Sequence, residues 1–118
     1  MTRINAGYPV KQLTGKHLMA EHREIKRIPN TIKSGKAVIK NIPNQFTLGT
    51  GHVKFFYDKL LYLKNRYEEL YSEAISRGYK PTYYGDCWND LPNNLMNDWV
   101  PTKEAKQLIE ERIKDRLK

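Results

Sequence analysis

The sequence predicts an all-α fold, a compact single domain of about three main helices covering residues 1–118. Three observations predict it. Apolar residues recur at steps of three and four through a long central stretch and two flanking ones. Threonine and glycine punctuate those stretches where helices start and stop. No run alternates apolar and polar residues beside a hairpin turn, as a sheet would need. One chain of 118 residues can bury a modest core but is too short for two.

Residues 1–13 contain Gly7 and Pro9 and show no helical period, so they read as extended or looped. Thr14 offers a hydroxyl to cap the first helix. From Lys16 to Arg27 the apolar positions are Leu18, Met19, Ala20 and Ile25, followed by Ile28. Pro29 disfavours helical backbone at Ile28, which predicts a stop or break near there. Residues 29–51 are rich in Pro, Asn, Gly and Lys and read as a loop with one helical turn. Gly49-Thr50-Gly51 marks a tight turn before the clearest helix, residues 52–77. Its stripe is Val53, Phe56, Tyr57, Leu60, Leu63, Tyr67, Leu70, Tyr71 and Ala74. A helix of that length spans about 39 Å. Gly78 stands where a left-handed terminator belongs, with Arg77 in the last turn. Tyr79, Tyr83, Tyr84, Trp88 and Trp99 pin an ordered loop through residues 79–101. Thr102 caps a last helix with the stripe Ala105, Leu108, Ile109, Ile113 and Leu117. Arg112 and Arg116, one turn apart, share a face of it.

Charge is distributed unevenly. Residues 1–59 hold 11 Lys/Arg and 3 Asp/Glu, whereas residues 60–118 hold 10 of each. The whole net charge of +8 therefore sits in the first half. Such asymmetry points to a polyanionic partner, nucleic acid above all, although solubility alone also explains a basic chain. No stretch approaches a membrane span and the N-terminus lacks the apolar core of a signal peptide. The single Cys87 makes no internal disulfide, which suits a reducing cytosol. His17, His22, His52 and Cys87 lack the paired spacing of a zinc site, so no metal is expected.

Two places could carry covalent chemistry. Thr2 is small enough for removal of the initiator methionine. The freed α-amine would have an ordinary pKa of about 7.7–8.0, leaving a neutral, nucleophilic fraction at pH 7. Many chains begin this way, and on the residue alone an inert, frayed terminus is the better explanation. In the first helix, Glu24 lies beside Arg23 and within a turn of Arg27, a field that favours its ionised form. Arginine forks of this kind suit phosphate oxygens. A solvated face of salt bridges accounts for the same spacing.

The separate signals coincide in one family. Met1-Thr2-Arg3-Ile4-Asn5, His17-Leu18-Met19-Ala20-Glu21-His22-Arg23-Glu24 with Arg27, and Leu48-Gly49-Thr50-Gly51-His52-Val53-Lys54-Phe55-Phe56-Tyr57-Asp58-Lys59 resemble the phage-type pyrimidine-dimer DNA glycosylases with AP lyase activity. Arg77-Gly78-Tyr79 and Asp98-Trp99-Val100-Pro101 are similar to that family too. The resemblance implies an N-terminal segment that threads among the helices. It implies Thr2 and Glu24 as the catalytic pair, with Arg3, His17, Arg23, Arg27, Arg112 and Arg116 contacting DNA. Double-stranded DNA with ultraviolet damage or abasic sites would be the partner of a monomeric, intracellular enzyme needing no cofactor. His22 stands where the family often has tyrosine, and Ile25-Lys26-Arg27 replaces a common Leu-Pro-Arg. The family's aromatic and basic C-terminal tail has no counterpart up to Lys118, which bears on lesion preference. Two other functions fit the same residues: a lyase or oxidised-base glycosylase indifferent to dimers, and a DNA-binding module without catalysis.

Overall fold

The computed structural model describes residues 2–117, with the side chain of Leu117 excepted; Met1 and Lys118 lie outside the described residues. The helices are α1 (Gly15–Ile25), α2 (Arg27–Lys33), α3 (His52–Phe55), α4 (Leu60–Ser76) and α5 (Lys103–Leu117), joined by 3-10 turns and loops. No strand occurs among the described residues, so the fold is all-α, as the periodicity predicts.

The start and stop signals work locally. The Thr14 hydroxyl accepts from the His17 amide at 3.2 Å and opens α1. Thr102 does the same for the Ala105 amide at 3.1 Å. Gly78 adopts φ 88°, and the Gly78 and Tyr79 amides return to the carbonyls of Ile75 and Ala74, which closes α4. Arg77 does more than complement the helix dipole. It pairs with Glu73 and donates to the carbonyls of Val10, Lys11 and Leu13, tying the first 3-10 turn to the end of α4.

Two predicted helix boundaries and one apolar stripe need correction. The stretch 52–77 is two helices, because Phe56–Asp58 tightens to a 3-10 turn and Lys59 leaves helical geometry at φ −127°, ψ 41°. The break buries adjacent Phe55 and Phe56 together, which one straight helical face would not do. They pack with Phe46, Tyr62 and Trp99. Pro29 does not end the helical region either. The chain turns earlier, at Lys26, and Pro29 falls in the first turn of α2, where a missing N–H leaves no intrahelical bond unmade. In α5 the buried stripe is Ala105, Ile109 and Ile113, while Leu108 is exposed; Leu117 lies outside the described side chains.

The core forms where α1 lies along α4, and Leu18, Ile25, Leu63, Tyr67 and Leu70 belong to one buried cluster. Ile4 and Ala6 are fully buried in the same core. The extended N-terminal segment thus runs through the molecule, among α1, α3, α4 and α5.

Candidate active site

An extended segment inside a helical core has no strand partner, so its amides must find side chains. Each partner comes from a different helix. The Arg3 amide donates to Glu24 Oε1 on α1 at 2.9 Å. The Ile4 amide donates to His52 Nε2 on α3 at 3.0 Å. The Gly7 amide donates to the Tyr62 hydroxyl on α4 at 3.2 Å. Asn5 is held by its side chain: its amide group donates to Glu21 Oε1 at 2.9 Å, and its oxygen accepts from Arg112 at 2.7 Å. Glu21 in turn receives a two-pronged bond from Arg66, at 2.6 and 3.0 Å. These bonds fix the register of the first residues. Consecutive backbone nitrogens are at most about 3.6 Å apart, which puts the residue 2 nitrogen within roughly 6.5 Å of Glu24 Oε1.

Beside that terminus opens a cavity of about 260 Å³, lined by Arg3, Asn5, Thr14, Lys16, His17, Glu21, Glu24, Arg112 and Arg116 among others. It carries four full cations against two carboxylates, and Glu21 is already paired with Arg66. Arg112 feels the crowding. Burial first, then Arg3, pushes its pKa down to about 10, and Glu21 and Glu24 oppose the shift. It remains charged at neutral pH. A cleft of this sign and size fits a phosphate-bearing ligand beside a carboxylate. Among the described residues no three His, Cys, Asp or Glu side chains converge on a metal position.

All three histidines have lowered pKa values, each chiefly through burial. His17 lines the cavity with Nδ1 3.1 Å from the Thr14 hydroxyl, and Arg116, Lys16, Arg112 and Arg3 add to its shift. His22 is buried away from the cavity, with Nε2 3.2 Å from the Tyr67 hydroxyl and its ring stacked at 5.2 Å on that of Tyr67. A histidine whose folded pKa is depressed leaves stability intact above the unfolded value of about 6.5 and removes it as pH falls through the folded value. Urea midpoints should therefore fall monotonically from neutral pH into the acid range. Each histidine contributes a slope of at most about 1.4 kcal/mol per pH unit. A midpoint that climbed on acidification would contradict these shifts.

The structure brings Arg3, His17, Glu24, Arg112 and Arg116 to one cavity, although they span most of the chain, and Thr2 precedes the Arg3 whose amide is bonded to Glu24. Arg23 and Arg27 are exposed and lie outside the cavity lining. The cations that line the cavity with Glu24 are Arg3, Lys16, Arg112 and Arg116. Glu21, one turn before Glu24, is almost wholly buried against Arg66. Sequence reasoning missed Asn5, Lys16, His52 and Arg66. One signal was present for Arg66, since it sits between Leu63 and Leu70 at steps of three and four, on the buried stripe of α4. The family model described as pyrimidine dimer DNA glycosylase matches residues 1–84, which include every helix contact of the N-terminal segment except that from α5.

Proposed function

The chain belongs to the pyrimidine dimer DNA glycosylase family, and from that premise we propose that its amino terminus couples base excision to strand cleavage. The family acts as a DNA glycosylase at pyrimidine dimers. In the proposed reaction Met1 has been removed and the Thr2 amine attacks C1′ of the damaged nucleotide. The glycosidic bond breaks and its electron pair leaves with the base. The sugar ring opens, the amine loses its protons, and a C1′ imine links protein and DNA. Loss of the C2′ proton then expels the 3′ phosphate by β-elimination, giving the AP lyase step. Glu24 steadies the positive charge that develops at the sugar and carries protons between these steps. Arg3, Arg112, Arg116 and His17 face the flanking phosphates or the turned-out nucleotide, and Arg23 and Arg27 extend the contact outside the cleft. Turning a nucleotide out of the stack costs a few kcal/mol, less at a damaged site.

The observation that supports this most is the 2.9 Å bond from the Arg3 amide to Glu24, which holds residue 2 beside a carboxylate in a cationic cleft. Borohydride trapping tests it. Protein whose intact mass shows loss of Met1 should be fixed covalently to abasic and to irradiated duplex, and acetylation of its α-amine should abolish the adduct. No adduct from processed protein would leave a DNA-binding module without catalysis. An adduct with abasic DNA alone would leave a lyase indifferent to dimers.

A further inference from the structure

His52 is buried and bonded at both ring nitrogens, and its partners dictate its state. The Thr47 carbonyl only accepts, so Nδ1, at 2.9 Å, must carry the proton. The Ile4 amide only donates, so Nε2, at 3.0 Å, must be bare. Only the neutral Nδ1–H imidazole satisfies both. The ring packs at near right angles to Phe46 and Phe56, at 5.4 and 5.5 Å between centroids. The bond it accepts is the one immediately after the Arg3 amide's bond to Glu24.

We propose that His52 is a positioning residue for the N-terminal amine: through the Ile4 amide it sets the register that holds residue 2 against Glu24. It touches no substrate and acts only through the strand. This rests on the imine mechanism proposed above. Protonation would place a second N–H against the Ile4 amide and release the strand, so His52 also sets an acid limit on activity. The charged groups facing it are Arg3 from the N-terminal segment, Glu21 from α1 and Arg112 from α5. The two arginines oppose its protonation and Glu21 favours it.

Two measurements test this. In nitrogen-15 NMR, His52 should show the Nδ1–H pattern at neutral pH, and the Arg3 amide should move with the His52 midpoint on acidification. In single-turnover trapping, His52→Leu should lower the rate about 100-fold, as misplacement of a reacting group by an ångström does. Binding of irradiated duplex should change less than about twofold, which a collapsed fold would not permit. His52→Gln, whose amide oxygen can still accept from Ile4, should recover most of the rate. Loss of the neutral amine alone lowers the parental rate tenfold per pH unit; below the His52 midpoint the fall should steepen, and in His52→Gln it should not. An Arg3 amide indifferent to His52, trapping by His52→Leu at the parental rate, or full steepening in His52→Gln would overturn the proposal. If the parent itself forms no adduct, the imine reading falls, and the Arg3 amide decides the positioning role alone.

Discussion

Glu24→Gln is expected to fold, to bind irradiated duplex as the parent does, and to lose strand cleavage by about 10²–10⁴-fold, the range for a positioned proton-transfer group. The substitution isolates the charge. Glutamine has the same shape, and its amide oxygen can still accept the Arg3 amide that now reaches Glu24 Oε1 at 2.9 Å. The terminal strand should therefore keep its register. What disappears is the negative charge beside the developing cation and the ability to pass protons. Single-turnover cleavage, measured alongside affinity for the same duplex, separates the two effects. Cleavage at the parental rate would remove Glu24 from the mechanism, and loss of binding together with cleavage would make it a structural residue.

How much of this was legible in the sequence depended on the range of the interaction. Thr14, Gly78 and Thr102 act on amides or carbonyls within a few residues, so local pattern found them. The assembly of Arg3, His17, Glu24, Arg112 and Arg116 joins opposite ends of the chain; neither spacing nor period contains it, and only the resemblance to a family pointed there. The break at Lys59 escaped because the apolar period runs unbroken across it. At the break Phe55 and Phe56 join a cluster with Phe46, in the preceding loop, and Trp99, far away in sequence. The partner of Glu21 was hidden for a related reason. A glutamate one turn from Glu24 looks like surface until Arg66, 45 residues later, is placed against it. His52 followed a Gly-Thr-Gly turn and looked like an ordinary helix start; its role appears only when an extended segment lacks strand partners.

The buried pair of Glu21 and Arg66 is where the largest loss of stability should appear. Arg66→Ala is expected to destabilise the fold by about 3–5 kcal/mol, because it leaves the Glu21 carboxylate buried without its countercharge. Burial disfavours the Arg66 charge, but Glu21 outweighs it and raises the arginine pKa. The same change strands the Tyr8 carbonyl, which accepts from Arg66 at 2.8 Å. Removing both charges, as in Glu21→Leu with Arg66→Met, should be milder than Arg66→Ala alone, since no unpaired ion remains. It would still release the Asn5 amide from Glu21, an unsatisfied donor worth about 1–3 kcal/mol. Urea denaturation near neutral pH, where the histidines contribute fully, ranks the three proteins. The ranking bears on function as well as stability, because Asn5 is also the acceptor that orients Arg112 over the cavity. A double variant that regained stability but still cleaved poorly would show that the ion pair serves to aim Asn5 and Arg112; one that regained both would show that it serves the core alone.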